Sequence, residues 1–217
     1  MENDFIDYHS VLENIELALE DPKYSPILLK LEKNFQDTHI TISSIDTKEP
    51  LNRYYFERVL NLHIDETGKT LLTLLLEDNK ITKSTYTFLK SVNLSIFKVV
   101  KVKKESFIIV DLLEPKTGKK YKPIKREIPL SYYWKVIEKN DLIQTFLYLT
   151  PIQISTSAII HDKSVRKFIQ KKVDIILDST NYFENRKELL LRRLFRDYIM
   201  FHRYKNKTAL EIYELEL

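Results

Sequence analysis

The chain has 217 residues, of which 43% are hydrophobic and 30% charged, a balance that supports a folded core and excludes a disordered chain. It contains no cysteine, which removes disulfides, thiol nucleophiles, iron–sulfur clusters and the common structural zinc sites together. Only Gly68 and Gly118 are glycine, so no glycine-rich phosphate loop of the Walker or GxGxxG kind exists here.

The net charge of +4 conceals an uneven distribution. Residues 1–50 carry 11 acidic and 4 basic side chains, residues 98–126 carry 10 basic and 3 acidic, and residues 183–207 carry 8 basic and 3 acidic. Glu211, Glu214 and Glu216 then make the last ten residues acidic. Two basic stretches of this kind suit an anionic partner such as nucleic acid. The simpler expectation is that the acidic N-terminal part offsets them and that lysines guard sheet edges against aggregation.

In chain order, Phe5, Tyr8, Leu12, Ile15 and Leu19 recur every three or four residues and predict an amphipathic helix over 5–20, ended by Asp21-Pro22. Its Glu13, Glu16 and Glu20 read as a solvated acidic flank. Ser25-Pro26 opens a second helix to about residue 36. The β-branched alternation of 38–46 predicts a short strand. Residues 50–64 predict a helix buried through Tyr55, Phe56, Val59, Leu60 and Leu62, with Gly68 as its stop. The run 71–78 fits a buried helix or a strand. A helix over 82–91 follows, capped by Thr82 or Ser84.

Near residue 94 the texture changes to alternating β-branched and aromatic residues. Strands are predicted at about 95–102, 106–113 and 119–127, with turns at 103–105 and 115–118 and Gly118 in the second. Glu138 to Asp141 forms another turn, and 141–160 supplies two more strands. Short consecutive strands with tight turns predict a small antiparallel β-barrel or strongly bent sheet. Helices over 162–178 and 183–205 close the chain, with a short helical segment at 208–216. In the long helix Leu190, Leu191, Leu194, Phe195, Tyr198, Ile199 and Phe201 form the buried side. The expected layout is α+β: helices over 1–93, a β-unit over 94–160, and C-terminal helices over 161–217.

Residues 50–170 carry NRYYFERVL, SVNLSIFKV, FIIVDLLEPKTGKKY, NDLIQTFLYL and IIHDKSVRKFI in that order. This succession resembles the barrel-bearing part of bacterial proteins, some of which also carry a cysteine-rich SEC-C zinc tail. The resemblance implies a helix-plus-small-barrel fold. Without cysteine, no SEC-C zinc site carries over, and no activity comes with the likeness.

No catalytic, cofactor-binding or metal-ligating residue is assigned. His9, His39, His63, His161 and His202 form neither HxH nor HExxH, and His161 reads as a cap or surface residue. Asp111 and Asp141 stand at strand ends, where turn chemistry explains them better than an acid/base pair. The cationic candidates are Lys116, Lys119, Lys120, Lys122, Lys125 and Arg126 in one predicted hairpin, with Arg192, Arg193 and Arg196 on the long helix. Tyr121, Tyr132, Tyr133 and Trp134 lie near the hairpin, although alternation sets Tyr121 on the face opposite Lys120 and Lys122. The sequence favours a protein interaction or assembly module, acting on an unknown partner or by self-association. Nucleic-acid binding through the hairpin ranks second and an unfamiliar enzyme third. No basic-then-apolar leader and no apolar run of bilayer length is present, so a cytoplasmic protein without a membrane span is expected.

Overall fold

A computed structural model describes residues 8–36, 50–115, 122–130, 136–149, 152–178, 183–204 and 206–213. The chain divides into two units, residues 1–93 with 148–153 and residues 94–147 with 154–217. The described residues hold eight α-helices and six strands, an α+β fold in which helices precede and follow, in chain order, a nearly closed, barrel-like antiparallel sheet. No helix among them is long and apolar enough to cross a membrane.

In the first unit, α1 (Tyr8–Leu19) buries Tyr8, Leu12, Ile15 and Leu19, the stripe that its periodicity predicts. Asp21 then accepts a hydrogen bond from the Lys23 amide, and a single 3-10 turn leads into α2 (Ser25–Gln36). In helix α3 (Pro50–Leu60) every residue from Tyr54 to Leu60 is buried, Glu57 and Arg58 included. It ends four residues before the predicted boundary. Gly68 is therefore not its stop. With φ at +78°, Gly68 instead shapes a turn whose flanks are joined by an antiparallel bridge between His63 and Thr70.

The ambiguous apolar run resolves as α4 (Leu71–Glu77). The Thr70 hydroxyl accepts from the Thr73 amide, which caps the helix, and Leu71, Leu72 and Leu75 turn inward. Thr82 caps α5 (Lys83–Lys90) in the same way. Tyr24 donates to Asp78 at 2.6 Å, tying the start of α2 to the end of α4.

The sheet comprises β1 (Val92–Val102), β2 (Ser106–Asp111), β3 (Lys125–Pro129), β4 (Leu142–Leu149), β5 (Ile152–Ile154) and β6 (Ile159–Ile160). The strand order is β3-β2-β1-β4-β5, and β6 also pairs with β4. Alternation gives β1 and β4 two apolar faces. Phe97, Val99 and Ile143 join Phe107, Ile109, Ile128, Ile137 and Leu147 in one core. Their neighbours Ile96 and Leu142 join a second core with the C-terminal helices. Those helices are α6 (Arg166–Leu177), α7 (Phe183–Arg203) and α8 (Ala209–Tyr213). A reciprocal box between Thr208 and Glu211 opens α8: the Glu211 carboxylate accepts from the Thr208 amide at 2.7 Å, and the Thr208 hydroxyl accepts from the Glu211 amide at 3.3 Å.

Three details depart from expectation. The third strand starts at Lys125 rather than 119, just after Pro123, which has no N–H for a ladder. The stretch 151–160 breaks into β5 and β6, because Ser155 accepts the Ser157 amide at 3.0 Å and turns the chain between them. Asp197 replaces part of the expected apolar side of α7, where Tyr198, Ile199 and Phe201 are half-buried. The strand expected over 38–46, Gly118 and its turn, and the Tyr132-Tyr133-Trp134 run lie outside the described residues.

Gly68→Ala is expected to cost about 1–2 kcal/mol, because an L-residue is forced into the left-handed region with no clash to relieve. Gly68→Asn should cost less. Urea denaturation checks this; equal stability of the Ala and Gly proteins would contradict it.

Candidate functional site

The groups most capable of chemistry are buried and bonded into the framework. In the first unit Tyr148 donates to Glu57 at 2.8 Å, stacks on Phe88 with centroids 4.8 Å apart, and lies 5.2 Å from the Tyr8 ring. Burial, with the Glu57 charge adding to it, raises the Tyr148 phenol well above its ordinary range, so this tyrosine stays a donor. A buried carboxylate needs such a donor. His9 accepts from Arg53 at 2.8 Å, and His63 is exposed. His39 lies outside the described residues.

In the second unit His161 is 1% exposed, not a cap or surface residue. Gln144 on β4 donates through Nε2 to the Leu191 carbonyl of α7 at 2.8 Å, so its Oε1 faces His161 Nε2 at 3.3 Å. That arrangement places the imidazole proton on Nε2 and leaves Nδ1 to accept from the Tyr213 hydroxyl of α8 at 3.0 Å. Burial pushes the His161 pKa down to about 3 and the Tyr213 phenol up, so both are neutral. One relay thus joins sheet, α7 and α8.

The two strand-end aspartates belong to separate local networks. Asp111 accepts from the Ser95 hydroxyl and, at 2.9 Å, from the Leu113 amide. Asp141 accepts the Glu138 amide at 2.7 Å and pairs with Arg166 at the start of α6. Both serve turns and junctions, as their positions predict. Among the described residues no group of three or more histidines and carboxylates has the placement of a metal site.

The cationic candidates separate into distinct environments. Lys116, Lys119, Lys120 and Tyr121 lie outside the described residues. Lys122 is exposed before β3. Lys125 and Arg126 fall on opposite faces of the sheet, as the register shows. Lys125 stands opposite Val110, itself opposite Lys98. Arg126 stands opposite Ile109, on the face of the first core, and pairs with Glu114 at 3.6 Å. On α7, Arg192 pairs with Glu188 at 2.9 Å. Arg196 and Arg193 converge on the buried Asp197 at 3.0 and 3.6 Å. Burial raises the Asp197 pKa, and the two arginines oppose that rise.

No family model, curated protein or solved structure matches the chain.

Residue counts alone overlooked Lys98 and Lys101 as partners of Lys125. A bulge lies between Val99 and Lys101, and after it Lys101 stands opposite Ile108. Since Ile108 and Val110 are two apart on β2, Lys101 shares a face with Lys98 and Lys125. The same face holds Glu127, opposite Ile108, which accepts from Lys103 at 2.6 Å and Ser106 at 2.5 Å. Only the strand register could reveal this grouping.

Tyr148→Phe is expected to cost about 1–3 kcal/mol by removing a donor from a buried carboxylate. An unchanged urea midpoint would contradict it. His161 gives a pH signature of definite sign. The unfolded chain takes up this proton at its ordinary value near 6.5, whereas the folded chain resists it until about 3. Its contribution is present above pH 6.5 and falls by about 1.4 kcal/mol per unit as the pH drops toward 3. His161→Gln should flatten the stability profile between pH 6.5 and 5; parallel profiles would contradict the assignment.

Proposed function

We propose that the protein is a non-catalytic interaction module that meets an acidic protein partner through its second unit. One observation carries this reading. The first unit holds 16 acidic against 10 basic side chains, and the second holds 25 basic against 15 acidic. The two therefore have net charges of −6 and +10, far from the modest total. Charge separation on this scale steers association and selects partners of opposite sign.

The buried groups add support. Glu57, Tyr148, His161, Asp111, Asp141 and Asp197 are the side chains best suited to acid/base work, and each is buried and bonded within its unit. A protein partner is favoured over nucleic acid because Arg126, Arg192, Arg193 and Arg196, the side chains suited to bidentate phosphate contact, already pair with carboxylates. Nucleic-acid binding is the second reading, supported by the exposed Lys101, Lys122 and Lys125.

Fluorescence anisotropy with a labelled peptide of alternating Glu and Val and with a thymidine oligonucleotide of equal charge tests the choice. The peptide is expected to bind at 50 mM salt, to weaken at least tenfold by 200 mM, and to bind more tightly than the oligonucleotide. Tighter oligonucleotide binding would favour the second reading. Absence of peptide binding would overturn the first. Light scattering on the free protein separates self-association, which would raise the mass above 26.0 kDa.

A further inference from the structure

Resting on the reading of an acidic protein partner, we propose that its docking surface is the face of β1-β2-β3 that carries Lys98, Lys101 and Lys125, and that the occupant is an extended acidic segment. Two rows of opposed residues build this face: Lys98, Val110 and Lys125 in one, Lys101, Ile108 and Glu127 in the other. Lys98 and Lys125 flank the central strand, roughly 10 Å apart across two inter-strand steps. Lys98 and Lys101 stand two pairs apart along β1, a separation of about 7 Å. That is the repeat of alternate side chains in an extended chain, so carboxylates two residues apart on a partner segment meet both lysines.

The bulge between Val99 and Lys101 creates the match. In a regular strand, Lys98 and Lys101 would point to opposite faces. None of Lys98, Lys101 and Lys125 forms an ion pair among the described residues, whereas Lys103 is held by Glu127. The apolar residue at the surface between them is the half-buried Ile108, which an aliphatic side chain of the segment covers.

Three features select a protein segment over a nucleic-acid strand. Arg126 is turned to the other face. Among the described residues, the side chains between the lysines are aliphatic, with no ring on which a base could stack. Glu127 places a carboxylate in the face, its pKa lowered chiefly by the hydrogen bond from Lys103, and so repels a continuous line of phosphates. A peptide can set a neutral or basic residue against it.

The test uses the full chain and the labelled Glu-Val peptide. Replacing Lys98 and Lys125 together with Gln should weaken binding about tenfold. The same change at Lys167 and Lys171, exposed on α6, should alter it less than twofold. Zero-length carbodiimide cross-linking of the unaltered protein gives a second readout, should the double variant fail to fold. Peptide adducts on Lys98, Lys101 or Lys125 are expected. Adducts confined to other lysines, or equal losses in both double variants, overturn this surface while leaving an acidic partner in place. No peptide binding by the unaltered protein removes both proposals. Tighter binding of the thymidine oligonucleotide, lost with Lys98 and Lys125, overturns the protein occupant.

Discussion

A neutral histidine sealed between the sheet and two helices is the constraint on which the second unit depends. Gln144 has one amide, with two ends, and each end is used. Its nitrogen holds the backbone of α7, and its oxygen fixes the imidazole proton of His161. The imidazole, so fixed, takes the hydroxyl of Tyr213 on α8. In a low-dielectric interior each bond strengthens while it is satisfied and becomes costly when its partner is lost. The relay also specifies geometry. Leucine and isoleucine contacts between α7 and the sheet tolerate some sliding, but a chain of directed hydrogen bonds accepts one registration.

The same pattern recurs at three buried carboxylates among the described residues. Glu57 has Tyr148, Asp141 has Arg166, and Asp197 has two arginines. Removing one member of such a set exposes the other to an uncompensated burial cost, so these pairs specify structure more than they add stability. Formal charge is divided between an acidic and a basic unit. The bulged strand β1 gathers part of that positive charge on one face of the sheet.

Much of the fold is legible from periodicity. Tyr8, Leu12, Ile15 and Leu19 declare α1, Thr82 announces the start of α5, and alternation beyond residue 94 announces an antiparallel sheet. Features that depend on distant partners were hidden. Nothing around His161 signals burial, because its partners are 17 and 52 residues away. Gly68 sits after an apolar helix and resembles a stop, yet the helix ends earlier and a turn uses the left-handed conformation. Lys125 and Arg126 look like one basic cluster until the pairing register assigns them to opposite faces. Lys98 and Lys101 look unrelated until a bulge aligns them. Sequence spacing reports local geometry well; it cannot report which strand lies opposite.

The most direct test of this account is nitrogen NMR of the His161 imidazole across pH. Burial with both ring nitrogens bonded predicts a single neutral tautomer, protonated at Nε2, that persists unchanged from pH 8 to pH 5. An imidazole that titrates near 6.5, or one protonated at Nδ1, would contradict the relay and the claim that the buried polar groups serve the fold.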